Sequence, residues 1–281
     1  MNTRTALLAG LLALIPFASR SQTEVSRDPE LGARLSFGLD KKVTRGLHLY
    51  LEEELRLDNN FTGFDRLQTT LGVTYKVHPN VKVGVGYAFI APWSSSSSAF
   101  KSTRHRLMAD VTGTLHFTQW NLSLKERLQY TRRAGSFNAY QNPTNAVGLK
   151  SRLTLKYKGW QPRGLEPYAF AELRNTFSGP TVAAEYNTTK KAWCVPGTNS
   201  TEGDEAGWFL DGFNSTYVNR FRLGLGMDIR LSRQGLLSVQ LLADWVSDKV
   251  IDANKKGTVL NSYEHRTGFM ASLCAGYTYM F

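Results

Sequence analysis

The sequence has few cysteines and no long apolar run, and these shortages exclude several classes of protein. Its two cysteines, Cys194 and Cys274, are too few for a small disulfide-stabilised scaffold. After residue 21 no apolar stretch is long enough to cross a bilayer as a helix, which takes about 20 residues. The mean hydropathy of -0.31 is low, but a barrel that alternates lipid-facing and lumen-facing residues also has a low average. The chain is therefore either one large soluble β domain or a membrane β-barrel.

Motifs for cofactor or nucleic-acid chemistry are also missing. We find no cluster of metal ligands, no glycine-rich phosphate loop and no nucleic-acid-binding motif in the sequence. We therefore expect no cofactor and no nucleic-acid partner. The 34 Lys and Arg residues outnumber the 23 Asp and Glu residues. Basic side chains inside a barrel, and contact with anionic lipopolysaccharide, explain this excess better than nucleic-acid binding does.

The N-terminal segment has the composition of a secretion signal. Arg4 precedes an apolar stretch at 6–17, and small residues follow at 18, 19 and 21. The stretch is too short for an anchor helix. The sequence predicts a signal peptide at 1–21, cleaved after Ser21, and a single outer-membrane β-barrel domain at 22–281.

From about residue 31 the sequence alternates apolar and polar residues in segments of roughly ten, which is typical of strands with one apolar face. In the clearest segment, Phe221, Leu223 and Leu225 alternate with Arg220 and Arg222. Short links are predicted at 41–46, 78–80, 118–119, 159–165 and 232–235, and long polar ones at 58–66, 91–102, 132–146, 178–215 and 247–264. Short turns at one end and long loops at the other are typical of outer-membrane barrels.

The number of strands follows from a parity argument. Eleven segments alternate clearly, whereas bacterial single-chain barrels have an even number of strands. The stretch at 23–30 is the only place left for another strand. We therefore predict an all-β, antiparallel transmembrane β-barrel of about 12 strands, with 10 as the alternative, short periplasmic turns and long extracellular loops.

Aromatic residues near the predicted strand ends favour a bacterial outer-membrane location. Interfacial girdles of amphipathic rings explain them, although ordinary packing at strand ends is an alternative; the residues are Tyr75, Trp93, Phe117, Trp120, Tyr157 and Trp245. The last strand alternates Tyr277, Tyr279 and Phe281. It resembles the C-terminal signal read by the outer-membrane assembly machinery, which we expect as a partner beside outer-membrane lipid, lipopolysaccharide and other outer-membrane proteins.

If the apolar residues face lipid, the residues between them line the lumen. The predicted lumen-lining basic residues are Arg34, Arg56, Lys82, Arg104, Arg106, Lys125, Arg127, Lys150, Arg152, Arg220, Arg222 and Arg230. The predicted lumen-lining acidic residues are Glu52, Glu54, Asp110, Glu172, Asp228 and Asp244. By the same alternation, Glu53 and Glu126 would face lipid, where a charged side chain costs free energy. We therefore expect them near strand ends or at a bulge.

The excess of inward positive charge has two interpretations. Within a narrow aqueous pore it raises the local concentration of anions, and Arg binds carboxylates and phosphates in a bidentate manner. Alternatively, Arg–carboxylate networks fill the lumen and block it. The first interpretation predicts a porin-like channel for small anionic solutes, and the second predicts a closed barrel.

Two other functions stay open. One is a non-conducting structural or accessory subunit of a larger outer-membrane complex, with the 178–215 loop as a plug or docking element. The other is a barrel hydrolase, because His105 and His265 lie beside Ser102 and Ser262 near the long-loop rim. No nucleophile motif surrounds these pairs, so we expect no enzyme. Either a disulfide between the two cysteines or two free thiols fits the sequence.

Five short segments resemble one known family. They are LEEELRL at 51–57, VGVGY at 83–87, RHRLMAD at 104–110, KERLQY at 125–130 and PYAFAEL at 167–173. Together they resemble the DUF2490 family, a group of outer-membrane barrels common in Bacteroidetes and similar in architecture to the oligogalacturonate-specific monomeric porins. The resemblance implies a barrel and an outer-membrane location, and it supplies no substrate. The 178–215 loop has no counterpart in it.

Overall fold

The computed structural model describes residues 23–26, 28–94, 98–100, 102–183, 185–187, 192–194, 209–257 and 259–281. The predicted signal peptide lies outside these residues. In chain order the strands are β1 (Thr23–Ser26), β2 (Glu30–Thr44), β3 (Leu47–Asp58), β4 (Gly63–His78), β5 (Val81–Ser94), β6 (Ala99–Phe100), β7 (Arg104–His116), β8 (Trp120–Arg133), β9 (Asn145–Tyr157), β10 (Leu165–Ala183), β11 (Glu185–Asn187), β12 (Ala192–Cys194), β13 (Phe209–Arg230), β14 (Gly235–Ala253) and β15 (Leu260–Met280). One 3-10 turn, η1 (Gln161–Arg163), precedes β10.

Eleven long strands form a closed barrel, and the closure is parallel. Each long strand pairs antiparallel with the next along the chain, and β15 then pairs with β2 from Met270↔Glu30 to Met280↔Asp40. An antiparallel series with an odd number of strands leaves its first and last strands running in the same direction, so only a parallel pairing can close it. The predicted counts of 12 and 10 are therefore wrong, because the barrel has 11 strands.

The stretch proposed for the extra strand is an extension of the first one. In β1, Ser26 pairs parallel with Thr267 on β15. The first pair of β2 with the same strand is Glu30 with Met270. Residues 23–30 therefore follow the same edge of β15 as the rest of β2. The parity rule failed because it assumes antiparallel closure.

The two faces of the barrel divide as the alternation predicts, with apolar side chains outside and polar ones inside. Leu225, Val85 and Leu241 are 64%, 63% and 61% exposed, whereas the side chains of Asp244 and Glu172 are 0% and 4% exposed. Every long strand except β10 presents a large exposed apolar side chain. A soluble domain rarely exposes apolar surface on this scale. No helix among the described residues is long and apolar enough to cross a bilayer.

Glu53 and Glu126 do lie on the outer face, but our prediction of their surroundings is wrong. Both lie in the middle of their strands, and the pairing there is regular. A hydroxyl on the next strand binds each carboxylate. The Thr69 hydroxyl donates to Glu53 at 3.0 Å, and the Ser151 hydroxyl donates to Glu126 at 2.6 Å. Local hydrogen bonding, rather than a strand end or a bulge, accommodates these two acids.

Aromatic rings on the inner face lie over glycines of neighbouring strands. The Tyr50 ring covers Gly72, where an added Cβ would collide with the ring, and its hydroxyl also reaches Gly86. Phe170 covers Gly224 in the same way. Any larger residue at these positions would collide with the ring that lies over it. Glycine is needed here for this close contact and not for an unusual backbone conformation. The rings fill part of the barrel interior.

Successive connections lie at opposite ends of the barrel, called the short-turn end and the long-loop end below, but the predicted long loop at 58–66 is a four-residue turn at 59–62. The short-turn connections are 45–46, 79–80, 117–119, 158–164 and 231–234; those at the other end are 59–62, 95–103, 134–144, 184–208 and 254–259. The bounds of two predicted loops, 178–215 and 247–264, are wrong, because β10, β13, β14 and β15 extend far into them. Their polar residues continue the backbone pairing without the alternation that marks the barrel itself.

The extended strands form two arms at the long-loop end. Pairing between β13 and β14 stops at Arg220↔Val246, so the β10–β13 and β14–β15 extensions separate beyond that point. An apolar cluster around Ile251 and Tyr263 joins them. The backbone N–H of Lys249 also donates to the Tyr217 hydroxyl at 3.1 Å. Burial raises the pKa of Tyr217 to about 12, so this hydroxyl stays protonated.

Candidate functional site

The barrel encloses a central chamber of about 460 Å³. Many of the predicted lumen residues line it. The basic lining residues are Arg34, Arg56, Arg106, Lys125, Arg127, Lys150, Arg152 and Arg222, and the acidic ones are Glu52, Glu54 and Asp110. Eight basic groups against three acidic groups make this chamber a strongly positive cavity, which favours anions.

The most buried ion-pair network is centred on Asp244 of β14. Its side chain is 0% exposed and lies among three guanidinium groups. The Arg222 Nη2 donates to it at 2.8 Å, and the Arg34 Nη2 does so at 3.3 Å. Arg220 approaches it at 3.6 Å. One carboxylate therefore serves three cations, and the local charge stays positive.

Two further networks neutralise part of the wall. Arg127 donates twice to Asp110, each time at 2.6 Å, and Lys125 adds a contact at 3.0 Å. The carboxylate of Glu172 lies 2.5 Å from Arg152 and also contacts Arg222 at 3.5 Å. Such bidentate and charge-assisted bonds are strong, so these carboxylates are not available to other cations.

A row of basic residues crosses four neighbouring strands on the inner face. Arg127 of β8 pairs in register with Lys150 of β9, Lys150 with Arg174 of β10, and Arg174 with Arg220 of β13. Within the described part of the chain no carboxylate lies within 4.0 Å of Lys150 or Arg174. The Nε atoms of Arg104, Arg174 and Arg220 are buried without a hydrogen-bond partner. Like charges directly opposite one another destabilise a sheet, so Lys150 and Arg174 in the middle of this row are electrostatically unsatisfied, whereas Arg127 and Arg220 at its ends have Asp110 and Asp244.

The remaining predicted residues lie around the chamber or at its ends. Arg56 pairs with Glu54 at 2.5 Å beside the chamber. Asp228 lies 2.5 Å from the Lys156 Nζ. Lys82 lines a separate cavity of about 340 Å³ at the short-turn end, and Arg230 is exposed at the same end.

Arg174 was not among the predicted lumen-lining residues, although the alternation of its segment places it on the polar face with Glu172. The signal for its importance is the register with Lys150 and Arg220, which only the folded sheet reveals. Cys274 lines the chamber as a free thiol. The side chain of Cys194 and half of the predicted 178–215 loop lie outside the described residues.

The long-loop mouth is crossed by the 134–144 connection. The Asn138 Nδ2 donates to the Ala253 carbonyl at 2.7 Å, and the Gln141 Nε2 donates to Asp252 at 2.7 Å. These bonds tie the β8–β9 loop to the tip of the β14–β15 arm, four strands further around the barrel. The loop therefore covers part of the entrance.

A different polar pair lies at the base of the arms on the outer face. The Ser247 Oγ and His265 Nε2 are 2.6 Å apart. Ser247 also lines an outer groove of about 500 Å³, together with Phe221, Trp245 and Phe269. From the sequence, we paired His265 with Ser262 of the same segment. In the structure, His265 on β15 is instead hydrogen-bonded to Ser247 on the adjacent strand β14. The other candidate, His105, is bonded to the Tyr87 hydroxyl at 2.6 Å.

No group of three or more potential ligands among His, Cys, Asp and Glu occurs in the residues that the structure describes. The candidate site is therefore the charged chamber itself.

A closed β-barrel with a charged interior and an apolar outer surface defines the class of this protein. The family model for proteins of unknown function, DUF2490, matches residues 32–195. The chain therefore belongs to the DUF2490 family. The matched region covers the barrel from β2 to β10 and reaches the short β11–β12 hairpin. No curated protein matches the sequence.

Proposed function

We propose that the protein is an outer-membrane β-barrel that admits small anionic solutes to a basic lumen. The exposed apolar side chains around the barrel support the membrane location, because a bilayer would cover them. The separation of short turns from long loops supports it as well. The exposed polar arms would then extend from the cell surface.

Two bands of aromatic residues support the same location. Phe221, Trp245 and Phe269 form one band at the base of the arms, with ring centroids 5.6 and 5.3 Å apart. Trp120 and Tyr157, with ring centroids 4.7 Å apart, belong to a second band near the short turns. Along β15, about ten residues separate Phe269 from Tyr279 in the lower band, the length of strand that crosses a bilayer. Aromatic girdles mark the two interfaces of membrane proteins.

The predicted C-terminal assembly signal fits this proposal. Phe281 is 51% exposed on the outer surface, and Lys41 lies over its ring at 5.2 Å. Its backbone N–H donates to the Asp40 carbonyl at 2.9 Å. The Tyr277 ring stacks on Phe37 across the closing seam. We propose that the assembly machinery recognises Tyr277, Tyr279 and Phe281 before this seam forms, and that lipopolysaccharide contacts the outside of the finished barrel.

The charge of the chamber carries the proposal for solute preference. Eight basic lining side chains face only three acidic ones, and a positive potential in a narrow cavity attracts anions and repels cations. The ion-pair networks leave a cavity in the middle of the barrel. A small anion can therefore enter a compartment that already lacks enough negative charge.

A liposome-swelling assay tests this function. Proteoliposomes containing the purified barrel are diluted into iso-osmotic solutions of a neutral sugar, a small organic anion of similar size, or a small organic cation. We expect faster entry of the anion than of the cation. Equal rates, or the rate of protein-free liposomes for every solute, would contradict the proposal. Absence of any entry would favour the non-conducting structural role instead.

A second candidate function, acyl-ester hydrolysis, rests on the Ser247–His265 hydrogen bond. The Ser247 Oγ would add to an ester carbonyl while His265 accepts its proton, and the alcohol would leave as it takes that proton from His265. Water, deprotonated by His265, would then hydrolyse the acyl-Ser247 ester and release the fatty acid. The groove lined by Phe221, Trp245 and Phe269 would receive the acyl chain. Release of fatty acid from phospholipid vesicles, abolished by S247A and unchanged in S262A, would support this function. No release by the wild type would remove it.

A further inference from the structure

The basic side chains at the top of the chamber converge from three strands. Lys150 and Arg174 are direct cross-strand neighbours. Arg106 lines the same chamber as Lys150, and Arg104 lies two residues from Arg106 on the same face of its strand. Arg104 and Arg106 lie on β7, which is separated from β9 only by β8. These four side chains are called the four-cation cluster below.

The four-cation cluster lacks partners that other lumen cations have. The Nε atoms of Arg104 and Arg174 are buried with no hydrogen bond. The Arg106 Nε donates only to the neutral Thr131 hydroxyl, at 3.0 Å. Across the described ranges, no carboxylate forms an ion pair with any of the four within 4.0 Å. A buried charge without a partner is costly, so the cluster is incomplete as it stands.

Two nearby carboxylates are already committed to other cations, and a third, Asp248, whose charge acts on Arg174, accepts a hydrogen bond from Asn219 at 3.2 Å. Glu172 is held by Arg152 at 2.5 Å and by Arg222 at 3.5 Å. Asp110 is held by Arg127 and Lys125. A change of rotamer that gave either acid to the cluster would leave another buried cation unpaired. Among the described residues, neither Glu172 nor Asp110 can therefore supply the missing negative charge.

We propose that the four-cation cluster is a binding site for a small organic dianion that carries a phosphate group or two carboxylates. This inference rests on the proposed admission of anions to the lumen and gives that function a defined site. Guanidinium groups bind carboxylate and phosphate oxygens through paired hydrogen bonds. Arg106 and Lys150 line the chamber of about 460 Å³, so a ligand that enters the chamber can reach the cluster.

The charge of the cluster sets the class of ligand. A single monovalent ion such as chloride would leave three of the four cations unmatched. Two negative charges on one molecule offset more of the repulsion and can bridge the side chains of β7 and those of β9 and β10. The chamber lies within the range of small-molecule cavities in proteins, about 300–1,000 Å³. Phosphate and dicarboxylate share the required chemistry, and separate titrations distinguish them.

Thermal unfolding of the full barrel in a zwitterionic detergent tests the site. The protein is titrated with inorganic phosphate or with succinate, at an ionic strength held constant with sodium chloride. We expect a saturable rise in Tm with at least one of the two dianions. The double variant K150Q/R174Q should be more stable than wild type without dianion, because repulsion is relieved, and should lose the dianion response. A side chain with a merely structural role would destabilise the protein when replaced.

Two further variants keep the test decisive. K150Q alone should raise the Kd for the dianion about ten-fold, the effect of losing one charge-assisted contact. K82Q removes one positive charge from the cavity at the short-turn end and should respond like wild type. A wild-type protein that responds to dianions no more than to sodium chloride would overturn the site. An unchanged response in K150Q/R174Q would do so too.

The site and the channel can fail separately. Saturable dianion binding by a barrel that passes no solute into liposomes would support the site and overturn conduction. Anion-preferring entry without saturable binding would overturn the site and leave the channel standing.

Discussion

Lys150 of β9 and Arg174 of β10 lie directly opposite each other on the inner face, and neither forms an ion pair with any described carboxylate. Two residues nearer the short-turn end, the same strands pair Arg152 with Glu172, and this pair is neutralised at 2.5 Å. One strand pair therefore contains both a satisfied and an unsatisfied charge pair. The contrast locates the part of the lumen that is built for a negative ligand.

Replacing Asp244 with Asn should destabilise the barrel strongly. The change leaves Arg34, Arg220 and Arg222 without their shared buried carboxylate. Breaking a buried ion pair by removing one partner costs about 3–5 kcal/mol. Urea unfolding in detergent, followed by heat-modifiable migration on gels, measures the change. E264Q, which removes a more exposed carboxylate paired with Arg266, should cost less than about 1 kcal/mol.

Replacing Gly72 with Ala should displace the Tyr50 ring. The added methyl group would collide with that ring, and overpacking typically costs about 1–3 kcal/mol. Unfolding midpoints of G72A, Y50A and the double variant measure the effect. The double variant should be less impaired than the two separate losses together, because the ring that the new methyl group would meet is no longer there. G113A is the matched control, since nothing lies within 4 Å of a Cβ there; equal losses in G72A and G113A would refute the packing role.

Replacing Glu126 with Gln should stabilise the barrel in a bilayer. Glu126 lies on the outer face in the middle of β8 and accepts a hydrogen bond from Ser151. Gln keeps an acceptor for this bond and removes the charge that lipid disfavours. Unfolding from phosphatidylcholine vesicles at neutral pH measures the gain, with E54Q, which alters an inward acid, as the comparison. A loss of stability in E126Q would indicate that this carboxylate has a charged partner outside the chain.

Replacing Leu225 with Arg tests the orientation of the outer face. Leu225 is 64% exposed and lies midway along the part of β13 that pairs with β14, from Arg220 to Arg230. A lipid-facing Arg near the bilayer midplane costs about 2–4 kcal/mol, so L225R should fold less well into vesicles. S136R, in an exposed loop, should fold normally. Equal folding yields for the two variants would mean that lipid does not cover this face.

Replacing both Asn138 and Gln141 with Ala should release the loop that crosses the long-loop mouth. Their amides supply hydrogen bonds to Asp252 and to the Ala253 carbonyl. Without them, residues 134–144 should exchange amide hydrogens faster, as expected where few contacts hold a loop. Hydrogen-exchange mass spectrometry measures this, and the 117–119 turn should exchange at an unchanged rate. Unaltered exchange in 134–144 would show that other contacts hold the loop.

The barrel and its two faces could be predicted because alternation is a local property of sequence. Leu223 and Arg222 differ by one position, and the period of two places them on opposite faces. The strand count was harder to predict, because closure depends on a pairing between residues near the two ends of the chain. Nothing local in the sequence distinguishes β1 as an extension of β2 from a separate strand.

The charge of the site could be predicted, but its division into paired and unpaired groups could not. Alternation along the strand identified each predicted basic residue as inward-facing, but it did not show which carboxylate, if any, would pair with it. Whether Lys150 faces Arg174 or Glu172 depends on the register between β9 and β10, where a shift of two residues exchanges a like charge for an opposite one. The long arms were also missed. Their pairing continues where no apolar face is required, so no alternation marks it.

The ion selectivity of the reconstituted barrel tests the central claim most directly. In a planar bilayer with a potassium chloride gradient, we expect the reversal potential to have the sign of the chloride equilibrium potential and not that of potassium. The K150E/R174E variant should shift it towards the potassium value, because two cations of the lumen become anions. K82E should shift it less. A wild-type barrel that prefers potassium, or that shows the same reversal potential as K150E/R174E, would contradict an anion-selective lumen.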